Sequence, residues 1–181
     1  MSRLVVLAAL LIALVAGGCG HEELTVADTE GLYTEIDGLK YQIQMSRYMN
    51  VNDVEDREYL KGLPEGTAQP SADETWFGVW VRVQNEGDKT LPSADTWEIH
   101  DTQGKVYRPI PIDTDINPFA YKPDPIAPKS LIPEPDSVAS QTSIQGSMLL
   151  FKIKTESLQN RPLEFRFKGG QGTTGVIDLD V

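Results

Sequence analysis

The sequence predicts an all-β protein, an antiparallel β-sandwich with one short helix and a long proline-rich loop. In the stretch from Trp76 to Asn85, Phe77 and every second residue up to Val83 are apolar, and a period of two is typical of a half-buried strand. Several further short segments share this period and are separated by turn residues, which favours two packed sheets. Eight of the twelve prolines lie in residues 109–135, so that segment cannot form the interior of a sheet.

The first half of the chain supplies a strand, a helix and the central strand. Apolar and polar residues alternate from Leu39 to Ser46, which predicts the first strand. Asp53 is suited to an N-cap and Gly62 to the position that follows a helix. A short helix is therefore expected near Val54 to Lys61, before the central strand around residues 76–85.

The second half is predicted to add two hairpins and a final strand. Turn residues 101–104 join a strand containing Trp97 and Ile99 to residues 105–108. Residues 159–162 are expected to connect the strand at 146–154 to the strand at 163–167 as a second hairpin. Residues 169–181 read as a glycine-rich break followed by a short edge strand or a mobile tail.

Two tryptophans lie on the second face of the central strand, Trp76 and Trp80. Each ring can bury about 200 Å², so exposure of both would be unfavourable. We expect the short helix around Tyr59 or the proline-rich segment, with Ile112, Phe119 and Tyr121, to cover them. If the rings were exposed instead, the candidate partner-binding surface would comprise Trp76, Trp80, Phe119 and Tyr121.

The chain begins with an export signal. Its 181 residues are 40% hydrophobic and 24% charged, a composition that fits one globular domain. Arg3 precedes an apolar run from Leu4 to Val15, which is too short for a membrane span and is typical of a secretory signal. Residues 1–18 are therefore predicted as a signal peptide and are excluded from the fold.

Cys19, the single cysteine, directly follows Ala16, Gly17 and Gly18. This arrangement resembles a bacterial lipobox, although Ala16 replaces the commonest leucine, and it implies lipidation of Cys19. Two acyl chains anchor a protein durably, which predicts an extracytoplasmic domain on a bacterial membrane in the cell envelope. The alternative is a plain secretory signal with an incidental cysteine.

Polar and acidic residues 19–36, including His21, are predicted to form a mobile tether. After residues 1–18 are removed, 15 basic residues face 27 acidic residues. Such a balance repels phosphate backbones. Nucleic acid is therefore excluded as a partner.

The strand pattern over residues 37–168 favours an immunoglobulin-like sandwich. Here the sequence resembles a bacterial family of secreted or lipid-anchored immunoglobulin-like domains of unknown function, related in fold to an immunoprotective secreted antigen of mycobacteria. The resemblance implies a fold but no catalytic residues. It is carried by Phe77 to Asn85, Ile99 to Tyr107, Asn117 to Tyr121, Gly146 to Ile153 and Asn160 to Leu163.

The sequence offers little catalytic or metal chemistry, and no cofactor is predicted. His100 is the one histidine outside the tether, and Asp101 beside it points to the opposite face of a strand, so neither a nucleophilic triad nor a zinc site is expected. Asp113, Asp115 and Asn117 alternate as at the start of a calcium loop, but Pro118 stands where an EF-hand requires glycine. A solvated acidic loop is the alternative.

These observations favour a lipid-anchored binding domain without catalysis, whose partner is an envelope protein or another envelope component. Paired carboxylates are set by three-dimensional spacing. An envelope-associated hydrolase therefore stays open as an alternative, as does a calcium-stabilised adhesion module.

Overall fold

The computed structural model describes residues 24–181; the predicted signal peptide, Cys19 and His21 lie outside this range. Residues 24–181 form twelve strands, one α-helix and two 3₁₀ helices. The strands are β1 (Leu24–Ala27), β2 (Thr34–Ile36), β3 (Leu39–Tyr48), β4 (Glu74–Gln84), β5 (Leu91–Pro92), β6 (Thr96–His100), β7 (Val106–Tyr107), β8 (Pro125–Ile126), β9 (Leu131–Ile132), β10 (Ser147–Lys154), β11 (Leu163–Lys168) and β12 (Thr174–Leu179). The helices are α1 (Val54–Tyr59), η1 (Val138–Gln141) and η2 (Thr155–Gln159). None of the helices in residues 24–181 is long and apolar enough to span a membrane.

Two sheets form the predicted β-sandwich. Sheet I has the strand order β1-β12-β11-β6-β7, and sheet II has the order β10-β4-β3-β2, with β9 pairing with the end of β4. The pairs within both sheets are antiparallel except β1 with β12, which is parallel. The short β5 and β8 pair separately. β4 lies between β10 and β3, so its predicted central position is confirmed.

The main core lies between the two sheets. The alternating residues of β4, Phe77, Val79, Val81 and Val83, are all fully buried and pack in one cluster with Phe165 and other residues of sheet I. The period of two therefore predicted the correct inward face of β4.

A third layer covers the outer face of sheet II. Trp76 and Trp80 are each 1% exposed, and the Tyr59 ring of α1 packs edge-on to Trp80 with centroids 5.1 Å apart. Phe119 of the proline-rich segment, residues 109–135, packs edge-on to Tyr59 at 4.9 Å. The predicted cover over the tryptophans is confirmed, and both expected elements contribute to it. We call α1 and the proline-rich segment together the covering layer.

The helix follows its sequence signals closely. The Asp53 side chain accepts hydrogen bonds from the N–H groups of Glu55 (2.8 Å) and Asp56 (3.1 Å), and Gly62 has a φ of 75°, a conformation that favours glycine. Burial raises the pKa of Asp56, but the ion pair with Arg47 and a backbone N–H bond lower it by more in sum, so the net shift is downward.

The proline-rich segment protects the free edge of β10. Ile110 N–H donates to Leu150 O (2.7 Å), Met148 N–H donates to Phe119 O (2.7 Å), and Tyr121 N–H donates to Met148 O (2.8 Å). An exposed strand edge invites pairing with other chains. Although proline cannot extend a ladder, the residues between the prolines satisfy this edge at intervals.

The predicted tether is wrong for residues 24–36. β1 pairs with β12 and β2 pairs with β3, and Ile36 is 1% exposed. Between them, the Glu30 carboxylate accepts from the backbone N–H groups of Ser46 (3.0 Å) and Asp180 (3.2 Å). Backbone pairing and a few buried side chains order this segment despite its polar composition.

Two further predictions about the C-terminal half are wrong. β10 belongs to sheet II and β11 to sheet I, so residues 155–162, with η2, form a crossover between the sheets and not a hairpin turn. β12 lies between β11 and β1 in sheet I, so it is an interior strand and neither an edge strand nor a tail. Alternation identifies a strand but not the strand that it pairs with.

Candidate binding surfaces

The four aromatic residues considered as a partner-binding patch are mostly buried. The covering layer buries Trp76 and Trp80, so the exposed rings on which that partner-binding surface depends are not present. Tyr121 is 7% exposed, its hydroxyl donates to Ala94 O (2.8 Å), and burial raises its pKa. Phe119 is partly buried against the same apolar cluster as the tryptophans. These side chains hold the covering layer in place.

Asp113, Asp115 and Asn117 do not converge on a cation site. The fully buried Asn117 uses its Nδ2 to donate to the carbonyl oxygens of Tyr59 (2.9 Å) and Lys61 (3.0 Å), and its Oδ1 accepts from Phe119 N–H (3.0 Å). Asp113 Oδ1 accepts from Asp115 N–H (2.9 Å). The calcium-loop hypothesis is wrong for Asn117, because the polypeptide itself occupies its side chain. Within residues 24–181, no group of three or more His, Cys, Asp or Glu side chains is placed to hold a metal.

His100 lies on the outer face of sheet I beside a carboxylate. Its Nε2 is 2.8 Å from Glu98 Oε2, and Arg108 Nη2 is 2.6 Å from Glu98 Oε1. The contacts with His100 and Arg108 lower the pKa of Glu98. A groove of about 590 Å³ runs along this face, and its walls include Thr96, Glu98, His100, Arg166, Phe167, Lys168 and Thr174.

Asp101 takes no part in that groove. Its carboxylate accepts from Ser157 Oγ (2.6 Å) and from the N–H groups of Gln103 and Lys105 (2.9 Å each). Burial raises its pKa, but the hydrogen bonds from Ser157, Lys105, Asn160 and Gln103 together outweigh it, so the net pKa shift is downward. Asp101 therefore fixes the β6–β7 turn and does not orient His100, as the opposite faces of adjacent strand residues predicted.

A cleft of about 680 Å³ follows the second half of the proline-rich segment. Apolar side chains such as Ile126, Leu131 and Ile132 line it, and Lys122 and Asp136 lie among the charged residues of its walls. A second cleft of about 400 Å³ lies beside the first half of the segment, with walls that include Trp97, Ile110, Ala120, Tyr121 and Leu149. Clefts of this size are typical of binding sites. Sequence reasoning missed both clefts, because the proline spacing shows that the segment is irregular but not its path.

The end of β3 exposes apolar side chains that the sequence analysis did not single out. Tyr48 is 65% exposed, Val51 is 45% exposed and Val54 is 68% exposed. Tyr48 follows the alternating run from Leu39 to Ser46 and is out of phase with it. Single exposed apolar residues are common on protein surfaces, so these three do not by themselves define a binding site.

Two acids of raised pKa lie away from these clefts. A glycoside hydrolase combines an acid of raised pKa with an ionised carboxylate across a cleft. Burial raises the pKa of Glu30 and of Asp178, but neither lines the clefts or the groove described above. Hydrogen bonds from Lys154 and Ser71 lower the pKa of Asp73 to about 2, and those from Ser71 and Lys154 lower that of Glu74 to about 2.

Comparisons with known proteins support the fold and identify no family. No family model matches the chain, and no curated protein matches it. The crystal structure of the yjhA protein from Bacillus subtilis is similar with a TM-score of 0.57 and 10% sequence identity, over 85% of this chain and all of that one. An uncharacterized β-sandwich protein from Clostridium difficile 630 is similar with a TM-score of 0.47 and 14% identity, over 88% of this chain and 95% of that one. At these identities the likeness concerns the fold alone, and the two sheets of the chain itself make it a β-sandwich.

Proposed function

We propose that this chain is an extracytoplasmic interaction domain, held on a bacterial membrane by a lipid on Cys19, with no catalytic activity of its own. The observation that carries the proposal is the start of the sequence, where Arg3, the apolar run Leu4 to Val15 and three small residues precede the single cysteine. An exported protein gains little from one unpaired thiol, whereas lipidation uses that thiol.

The same proposal includes the family relation that the sequence suggested. The chain resembles the bacterial secreted or lipid-anchored immunoglobulin-like domains of unknown function, related in fold to the mycobacterial antigen. A β-sandwich fold agrees with this relation, but a fold by itself is weak evidence for function. Binding is therefore inferred from the surface of the domain.

The surface features of the domain suit the binding of a partner better than they suit catalysis. The clefts beside the proline-rich segment combine apolar walls with charges of both signs, as at Lys122 and Asp136, which suits a protein partner with a mixed surface. Ordered loops on a rigid sheet are also where binding residues concentrate. We infer that an envelope protein is bound here.

Replacing Cys19 tests the anchor. Cys19→Ser should release the domain from the membrane fraction and abolish incorporation of labelled fatty acid, because the proposed acyl chains are attached through the thiol of Cys19. Cys19→Ala should behave in the same way, since both lack the thiol. Persistent membrane association of either variant would show that the anchor assignment is mistaken.

Site-specific photo-crosslinking tests the binding surface. A photoreactive amino acid at Lys122 or Asp136, both exposed on the cleft walls, should capture the same partner in intact cells. The matched control is the exposed Gln103, in the turn after β6 and outside the cleft. Equal capture at all three positions, or no capture at the cleft, would contradict the proposal.

A further inference from the structure

The first described strand lies close in sequence to the proposed anchor. Leu24 pairs with Thr174 at the start of the parallel β1–β12 ladder, and Ala27 reaches the core at 8% exposure. Five Cα-to-Cα links separate Cys19 from Leu24, and at 3.3–3.6 Å per residue they span at most about 18 Å in any conformation. This maximum reach is far shorter than that of the whole predicted tether, residues 19–36.

The position of Leu24 defines one end of the sandwich. Its partner Thr174 follows the β11–β12 turn, residues 169–173, and the Asp37 carboxylate of the β2–β3 turn accepts from Gln171 N–H (2.7 Å) and Thr173 Oγ1 (2.5 Å). We call these two turns the anchor-side end. The strands run from it to the far end, which holds α1, the β6–β7 turn and the exposed Tyr48. β4 alone, with eleven residues, is about 35 Å long.

The chemistry of the anchor-side turns is compatible with a lipid surface. Residues 169–173 read Gly-Gly-Gln-Gly-Thr and carry no charge, and the Asp37 carboxylate beside them is occupied by hydrogen bonds from the same turn. Acidic side chains also lie at this end, in a groove beside Gly38 of the β2–β3 turn, but Glu86 there pairs with Lys40 and Asp88 pairs with Lys129.

We propose that the sandwich stands on the membrane with its anchor-side end against the lipid head groups and its far end, with α1 and Tyr48, directed away. This orientation rests on the proposed lipid anchor at Cys19 and adds to it the surface that faces the membrane. A long tether would allow any orientation, whereas a reach of about 18 Å is shorter than the domain. It keeps the β11–β12 turn near the bilayer and the far end accessible to proteins of the envelope.

Two matched glutamines allow a direct test. Gln171 in the β11–β12 turn and Gln103 in the β6–β7 turn are both exposed and lie at opposite ends of sheet I. Each donates its backbone N–H to an aspartate, Asp37 or Asp101, so replacing either side chain keeps that bond. Because lipidation consumes the thiol of Cys19, Gln171→Cys or Gln103→Cys would carry the single free thiol for a fluorophore.

The lipidated full-length protein would be placed in phosphatidylcholine–phosphatidylglycerol vesicles with nitroxide-labelled head groups. We expect the fluorophore at position 171 to lose most of its emission and the one at position 103 to lose none, because nitroxide quenching requires near contact. Equal quenching at both positions in vesicle-bound protein, or stronger quenching at 103, would overturn the orientation and leave the anchor intact. Failure of the lipid-bearing wild-type chain to bind vesicles would instead refute the anchor, and the orientation with it.

Discussion

Asn117 joins the two parts of the covering layer, the proline-rich segment and α1, by side-chain hydrogen bonds. It lies in the proline-rich segment, and its side chain reaches the backbone at the end of α1 through two donated hydrogen bonds, to Tyr59 O and Lys61 O, while accepting a third from Phe119 N–H. The side chain is fully buried, so water cannot replace these bonds without rearrangement. We predict that Asn117→Ala and Asn117→Asp both destabilise the fold.

The expected magnitude follows from the three bonds. A typical intramolecular hydrogen bond contributes about 1 kcal/mol net, so N117A should lower the free energy of unfolding by about 3 kcal/mol. N117D keeps the shape but points a carboxylate oxygen at two carbonyl oxygens about 3 Å away, so at pH 7 it should cost at least as much as N117A. A protonated carboxyl can donate to one carbonyl, which raises its pKa in the folded state. The stability of N117D should therefore recover as the pH falls and be lost as the pH rises through that pKa.

Urea unfolding followed by tryptophan fluorescence measures both variants, because Trp76 and Trp80 lie beneath the covering layer. Asp115→Asn is the matched control: Asp115 is exposed and contacts the turn through its backbone N–H, so a change below about 0.5 kcal/mol is expected. Added Ca²⁺ should not restore N117D, since its carboxylate faces carbonyls of the chain. Wild-type stability for both variants, or rescue of N117D by Ca²⁺, would refute this account of Asn117.

Three further predictions concern other parts of the fold. A Cβ added at Gly78 would lie 2.6 Å from Trp80 Cη2, so Gly78→Ala should lower the free energy of unfolding by about 1–3 kcal/mol through overpacking. Trp80→Ala should lower it by roughly 3–5 kcal/mol. Urea midpoints would give this order, and a neutral Gly78→Ala would contradict it. Burial raises the pKa of Glu30, so the stability that Glu30 contributes is present below its unfolded pKa and is lost as the pH rises through its folded pKa. Glu30→Gln should therefore reduce the slope of the free energy of unfolding between about pH 4 and 8. An unchanged slope would count against this prediction. The Ala94 N–H donates to the Tyr41 hydroxyl at 3.0 Å in the core. Tyr41→Phe leaves that N–H unsatisfied and should lower the free energy of unfolding by about 1–3 kcal/mol, measured by thermal or urea unfolding. A stabilised variant would show that the bond is dispensable.

Local sequence patterns predicted most elements of the fold, because strand alternation and helix capping depend on residues that are neighbours in the sequence. The inward face of β4 and the ends of α1 at Asp53 and Gly62 are of this kind. Pairing partners depend on distant residues, and so the β10–β11 connection was misread as a hairpin. The same limit applies to β1, whose four residues become a strand only because β12 lies beside them.

The candidate sites likewise divide into features that local sequence predicts and features that depend on distant residues. Large aromatic rings such as Trp76 and Trp80 have to be covered or used, and their burial could be argued from area alone. The role of Asn117 could not, since the Asp-x-Asp-x-Asn pattern fits both a cation loop and a buried joint, and only the path of α1 decides between them. The clefts require the whole course of the proline-rich segment and left no sequence signal.

The covering layer also bears on how a partner would be bound. A long loop that orders only on binding loses affinity through the conformational entropy of its ordering. Here the proline-rich segment is already fixed by Ile110 and Tyr121 to the edge of β10, by Asn117 to α1, and by Lys129, whose Nζ lies 3.2 Å from Asp88 Oδ1. The cleft walls are thus in place before a partner arrives. Loosening Asn117 should weaken partner capture at Lys122 and Asp136 without changing membrane attachment, since the anchor and the cleft depend on separate parts of the chain.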